Sequence, residues 1–173
     1  MPATYTLISS NVLTSSAASV TFSAIPATYT DLVIRLSART TESAGADPSG
    51  ISYTFNSDTS SNYSRRNVQG SGSAASSTGY ANQTYLRGSY ANGAGNTSNT
   101  FSSVEIYFPS YLSTSSRPIS VFGAQENNTT AAYIEAIAEL YRGSSAISSI
   151  KLEADASSFV SGSSFYLYGI SNA

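Results

Sequence analysis

Apolar residues recur at every second position through much of the chain, and no stretch sustains the spacing of an amphipathic helix. The segment 32–38 is the clearest case, because Leu32, Ile34 and Leu36 occupy alternate positions. Successive side chains of a strand point to opposite faces, so this alternation predicts half-buried β-strands. The same pattern occurs in segments 20–22, 51–55, 104–108, 119–121, 150–152 and 165–170.

Residues 131–142 (AAYIEAIAELYR) fit two interpretations. Their Ala, Glu and Leu content favours a helix, but the apolar and polar positions also alternate cleanly. Since the neighbouring segments are predicted strands, we predict a strand here as well. In that strand Glu135 and Glu139 share one face, which we expect to meet solvent.

Turn-forming residues separate the predicted strands, for example in the segments 47–50, 56–58, 92–93 and 127–128. The span 67–99 is of low complexity, and we expect a long flexible region there with one short strand near Thr84–Tyr90. Roughly eight to ten strands follow from this spacing. They predict an all-β fold, a jelly-roll-like antiparallel β-sandwich in which residues 1–173 form a single domain.

The composition removes most of the usual catalytic chemistry. The chain has no His, no Cys and no Trp, but 13 Tyr and 7 Phe, and only 10% of its residues are charged. Without imidazole or thiolate groups it lacks the common proton shuttle, the sulfur nucleophile and the soft ligands of zinc. We therefore expect no enzyme activity, no catalytic residues, no cofactor and no metal. A single lysine and a net charge of −2 also argue against nucleic-acid and membrane partners.

Three constellations could still carry chemistry, and each has a simpler explanation. Ser148 lies three residues before Lys151, a spacing that chance explains in so serine-rich a chain. Glu135 and Glu139 could act as a glycosidase pair, but solvent-facing strand residues need no such role. Asp47 and Asp58 could bind calcium, but turn formation accounts for acidic residues in these segments.

The best candidates for a contact surface are arginines and tyrosines. Arg65 and Arg66 are adjacent, and two solvated side chains are the simpler interpretation, since neighbours in a strand point to opposite faces. The alternative is an arginine fork at an interface. Tyr80, Tyr85 and Tyr90 lie among Ser, Gly and Asn residues, a composition typical of adaptable binding surfaces, although ordinary packing is also consistent with it.

Three segments resemble a family of small virion proteins of tailed bacteriophages: 20–40, 55–77 and 161–173. They contain an Ile-Pro-x-x-Tyr-x-Asp-Leu element from Ile25 to Leu32, an Asn-Tyr-Ser-x-Arg element from Asn62 to Arg66, and a closing Tyr168-Gly169-Ile170. None of these motifs is catalytic. The resemblance implies a jelly-roll-like sandwich that is displayed on the particle.

The resemblance implies a capsid decoration or cement protein, made in the host cytoplasm and placed on the outer surface of the capsid. Its partners would be the major capsid protein and two further copies of itself in a homotrimer. The start of the sequence has no basic segment followed by an apolar run, so we expect no export signal. The alternative is a receptor- or glycan-binding domain of a phage tail or head fibre, with a host glycan as its partner.

Overall fold

Twelve β-strands make up the regular structure of the computed structural model, which describes residues 4–43, 49–129, 132–155 and 157–171. No helix occurs in these ranges. The strands are β1 (Tyr5–Val12), β2 (Ser19–Phe22), β3 (Asp31–Ala38), β4 (Ser49–Phe55), β5 (Tyr63–Gly70), β6 (Ala75–Gln83), β7 (Leu86–Ala91), β8 (Ser102–Phe108), β9 (Arg117–Gln125), β10 (Tyr133–Tyr141), β11 (Ile150–Ala154) and β12 (Ser164–Ile170).

The strands form two antiparallel sheets of unequal width. One has eight strands in the order β1-β12-β3-β8-β9-β10-β5-β6, and the other has four in the order β2-β11-β4-β7. The predicted all-β antiparallel sandwich is therefore confirmed. The described residues contain more strands than the expected eight to ten, because β1 and β6 lie at the two edges of the wide sheet. These edge strands are largely exposed and lack a buried apolar stripe.

Buried aromatic rings join the two sheets. The ring of Phe55 in β4 lies 5.7 Å from that of Phe108 in β8 and 4.9 Å from that of Tyr141 in β10. Tyr141 in turn stacks on Tyr63 of β5 at 4.9 Å. The four-stranded sheet thus covers one face of the wide sheet, and the core is one continuous cluster.

Arg117, at the start of β9, is buried beside this aromatic cluster. Its guanidinium carbon lies 4.7 Å from the centre of the Tyr141 ring. Its terminal nitrogens donate hydrogen bonds to the backbone carbonyls of Ser113, Gly143 (2.5 Å) and Ser145 (2.9 Å). One side chain therefore ties β9 to the loop that precedes it and to the loop that follows β10.

The span 67–99 is not the long loop that we expected. It contains the end of β5, all of β6 and all of β7, and the predicted strand near Thr84–Tyr90 corresponds to β7. β6 was missed because its residues are small and polar, and only its backbone ladder with β5 makes it a strand.

The strand predicted in 131–142 is confirmed as β10, but the predicted orientation of its faces is wrong. Glu135 and Glu139 are buried and point toward the small sheet, whereas Ile134, Ala136 and Ala138 are exposed. Side chains and a backbone N–H of the opposite sheet donate hydrogen bonds to both carboxyls, which offset part of the cost of burying them.

The turn at 56–58 is also confirmed. Asn56 and Ser57 have positive φ angles of 51° and 57°, and a carboxylate oxygen of Asp58 accepts the backbone N–H of Ser60 at 2.8 Å. Asp58 is thus a turn residue, while Asp47 and Pro48 of the predicted turn at 47–50 lie outside the described residues and Ser49 and Gly50 begin β4.

Candidate functional site: an inter-sheet pocket and an uncovered sheet face

The structure separates the two arginines that the sequence places side by side. Arg65 points between the sheets and is only 8% exposed, whereas Arg66 points to the opposite face and is exposed. The interpretation of two solvated arginines is therefore wrong for Arg65. Its guanidinium carbon lies 4.3 Å from the ring centre of Tyr80 and 5.8 Å from that of Tyr85.

Arg65 lines a cavity of about 270 Å³ at the corner where β7 approaches β5, β6 and β10. Tyr80 and Tyr90 line it as well, whereas Tyr85 does not line it and only approaches Arg65. The other polar members come from separate strands, so their positions along the sequence do not mark them as a group. The polar side chains that line the pocket are Arg65, Asn67, Gln69, Thr78, Tyr80, Arg87, Tyr90 and Glu135.

Glu135 is the acidic group of the pocket. One of its carboxylate oxygens accepts the hydroxyl of Ser89 at 2.8 Å, and the other lies 3.5 Å from the side-chain nitrogen of Asn67. Burial raises the pKa of Glu135, although the Ser89 hydrogen bond and the charge of Arg87 oppose this shift. The oxygen near Asn67 has only this long contact, so it can accept a further hydrogen bond.

Glu139, four residues further along the same face of β10, does not line this pocket. It accepts the hydroxyl of Tyr53 from β4 and, at 2.8 Å, the backbone N–H of Arg87 from β7. Complete burial raises the pKa of Glu139 to about 8, because desolvation outweighs these hydrogen bonds and the nearby arginine charges. This carboxyl joins the two sheets and is protonated over much of the neutral range.

Two arginines line the pocket, but they differ in their partners. Arg87 forms an ion pair with Asp155 at 2.8 Å, and its guanidinium carbon lies 5.4 Å from the Tyr90 ring centre. The Nη1 atom of Arg65, by contrast, is buried without a hydrogen-bond acceptor among the described residues. A buried donor without an acceptor is costly, so this atom marks a place where a ligand could bind.

The second feature is the outer face of the eight-stranded sheet, which the small sheet does not cover. Val68, Phe122 and Ile134 are 59%, 54% and 54% exposed on this face. Strand pairing places Ala136 directly between Phe122 of β9 and Val68 of β5, so these side chains form one row across three strands. We call this surface the apolar face.

A hollow of about 520 Å³ lies next to Phe122 on the same side of the sheet. Phe122 and Tyr166 flank it, and the small side chains of Ser37 and Ser103 contribute to its lining. The paired charges of Arg35 and Glu105, 2.8 Å apart, also border it. A projecting aromatic ring thus stands beside a hollow large enough to receive one.

Comparison with known proteins assigns no relative: no protein-family model matches the chain, and no curated protein is similar to it. In the part of the chain that the structure describes, no helix is long and apolar enough to cross a membrane. The same residues contain no group of three or more acidic side chains placed to hold a metal ion.

Proposed function

We propose that this chain is a non-enzymatic structural protein of a phage virion, a capsid decoration protein that forms homotrimers on the outer surface of the head. The resemblance of three segments to small phage virion proteins supports a location on the virion and a trimeric state. One structural observation supports a role in binding other protein subunits: the apolar face of the wide sheet is exposed to solvent.

The apolar face has the properties of a contact surface between copies of this chain. Large apolar side chains exposed together on one face mark interaction sites more often than isolated ones do. The row through Phe122, Ala136 and Val68 contains no charged side chain, and Arg35 and Glu105 neutralise each other at its border. Arg66 is also exposed on this face, two residues before Val68 along β5, so a contact between copies has to keep their Arg66 side chains apart.

Phe122 and the adjacent hollow favour a heterologous arrangement. If Phe122 of one copy enters the hollow of the next, the contact joins two different patches. Such contacts close into a ring when the rotation between neighbouring copies is a whole fraction of a full turn. A threefold ring would then present several identical surfaces to the major capsid protein. Each weak contact with the capsid would be strengthened by the others through avidity.

Removing the large side chains of the apolar face should dissociate the trimer. In the double variant Phe122→Ser, Ile134→Ser, the lost apolar burial should raise the dissociation constant by roughly a hundredfold or more. Sedimentation equilibrium at micromolar concentration measures this directly. Tyr80→Ala, at an exposed aromatic position on the opposite face of the wide sheet, is the matched control and should leave the trimer intact.

A wild-type protein that sediments as a monomer would contradict self-association in solution. A double variant that stays trimeric would contradict the assignment of the interface to the apolar face. Circular dichroism of the double variant checks that the sandwich is still folded. We expect it to fold because both changed positions are exposed.

The second candidate function is a receptor- or glycan-binding domain of a tail or head fibre. The inter-sheet pocket favours it, because two tyrosines and several amide and charged side chains converge on one small cavity. Adsorption of particles separates the two functions. Particles that lack a decoration protein should adsorb normally and tolerate heat less well, whereas particles that lack a receptor-binding domain should fail to adsorb.

A further inference from the structure

We propose that the inter-sheet pocket binds one neutral sugar unit, held by Arg65 and Glu135 and bordered by Tyr80 and Tyr90. This inference goes beyond the proposed capsid function, because a saccharide site does not depend on where the protein sits on a particle. It rests on the orphaned donor of Arg65, on the balance of charge in the pocket and on the size of the cavity.

The unmet hydrogen-bonding capacity of Arg65 is the first observation. Its Nη1 atom is buried and lacks an acceptor within the described ranges, although the side chain is held in place by the Tyr80 ring. That atom has almost no solvent-accessible surface, so a ligand oxygen reaches it when the Tyr80 ring on the exposed edge strand β6 shifts, and it would then supply the acceptor. The gain is large for a buried donor, because leaving such a group unpaired carries the full cost of its desolvation.

The pocket offers acceptors as well as donors. Glu135 contributes carboxylate oxygens, and Asn67 and Gln69 contribute side-chain amides. A sugar hydroxyl donates one hydrogen bond and accepts others, so neighbouring hydroxyls can use an arginine and a carboxylate together. A ligand that could only donate or only accept would leave one of the two unpaired.

The charges of the pocket select against ionic ligands. Arg87 is paired with Asp155, which leaves Arg65 and Glu135 as opposite charges on the same wall. An anion bound to Arg65 would be repelled by Glu135, and a cation bound to Glu135 would be repelled by Arg65. A neutral, hydroxyl-rich molecule is repelled by neither Arg65 nor Glu135.

The dimensions fit a single ring. At about 270 Å³ the cavity lies just below the range typical of sites for drug-sized ligands, so one sugar unit fits better than a chain. Tyr80 is exposed and Tyr90 half-buried, and both offer apolar ring surface to the C–H groups of a sugar.

The polar wall is already ordered in the free protein. Asn67 accepts the hydroxyl of Thr78 and donates to the side-chain oxygen of Gln69 at 3.2 Å. Ser89 and Arg65 are likewise fixed by Glu135 and Tyr80. A site whose groups are held before binding loses less conformational entropy when the ligand enters.

Chemical-shift mapping with defined glycosides tests the proposal. Proton–nitrogen NMR spectra of the full chain would be recorded with the methyl glycosides of glucose, galactose and mannose at increasing millimolar concentrations. The methyl glycosides of glucuronic acid and glucosamine serve as anionic and cationic probes. We expect saturable shifts of the backbone amides of Arg65, Asn67 and Tyr80 with at least one neutral glycoside, and binding of both charged probes weaker by about tenfold or more.

Variants then locate the site. Tyr80→Ala and Arg65→Lys should each weaken binding of the neutral glycoside by about tenfold or more, since one removes a ring and the other the Nη1 donor. Phe122→Ser, on the opposite face of the wide sheet, is the control and should bind like the wild type. Because Tyr80 lies on an exposed edge strand, Tyr80→Ala should fold even if Arg65→Lys does not.

The proposal is overturned if no neutral glycoside shifts the pocket amides, if the glucuronide or glucosaminide binds more tightly than every neutral probe, or if a folded Tyr80→Ala variant binds unchanged. None of these outcomes bears on trimer formation. Conversely, a monomeric Phe122→Ser, Ile134→Ser variant that still binds the glycoside would separate the pocket from the apolar face.

Discussion

Replacing Arg117 by alanine should lower the free energy of unfolding by on the order of 3 kcal/mol or more. The substitution removes the donors to three backbone carbonyls, those of Ser113, Gly143 and Ser145. It also removes the cation that lies over the Tyr141 ring and leaves a cavity beside the aromatic core. The carbonyl of Gly143 is buried and costs about 1–3 kcal/mol when it loses its partner, whereas the other two are partly buried and cost less.

Urea unfolding of the two proteins measures this loss. The matched control is Arg142→Ala, because Arg142 donates to Ser61 and Asn82 at the exposed surface and its loss should cost less than about 1 kcal/mol. Equal effects of the two substitutions would show that Arg117 does not hold the loops around the core.

Stability should fall as the pH rises from about 5 to about 8. Glu139 has a pKa of about 8 in the folded protein, against an ordinary value of 4.5, so the folded state binds this proton more tightly than the unfolded state does. Between these two values each pH unit then costs at most about 1.4 kcal/mol, and the loss ends above the folded pKa. Glu135, whose pKa is also raised, acts in the same direction.

Burial favours the neutral form of Glu139, and the groups around it oppose this effect only in part. Tyr53 from β4 and the backbone of Arg87 from β7 donate to it, and the charges of Arg65 and Arg87 lower its pKa in part, but burial dominates. Melting temperatures measured from pH 5 to pH 8.5 should therefore decline steadily.

Glu139→Gln is the matched variant for this pH dependence. Glutamine imitates the protonated acid, since it can still accept the Arg87 N–H and can donate to Tyr53. The variant should melt like the wild type near pH 5 and should lose most of the decline toward pH 8. A wild type whose stability is flat or rises across this range would contradict the assignment.

The period-2 pattern was sufficient to predict the sandwich and most of its strands. In β8 the buried residues are the ones that the alternation selects, and in β3 Leu32, Ile34 and Leu36 are buried as predicted, although Val33 on the other face is buried too. Alternation alone does not say which face is inside when both carry apolar residues. In β10 the carboxylates suggested the wrong face, and the hydrogen bonds from Ser89, Tyr53 and Arg87 that offset part of the cost of their burial come from other strands.

For the pocket, too, the alternation of residues along a strand does not determine which side chains are buried. Strand geometry correctly required Arg65 and Arg66 to point in opposite directions. Which of them is buried depends on the approach of β6 and β7, and β6 has no apolar pattern of its own. The tyrosines could be selected from their surroundings in the sequence, whereas Arg87 and Glu135 join them only through pairing between distant strands.

The most direct test of the proposed function is an electron cryo-microscopy reconstruction of native particles that contain this protein. The capsid decoration proposal predicts density for the sandwich at regular positions over the outer surface of the head, in threefold clusters whose subunits meet through the apolar face. Density confined to a few copies at the tail or a fibre, or heads that carry none, would contradict it and favour the receptor-binding alternative.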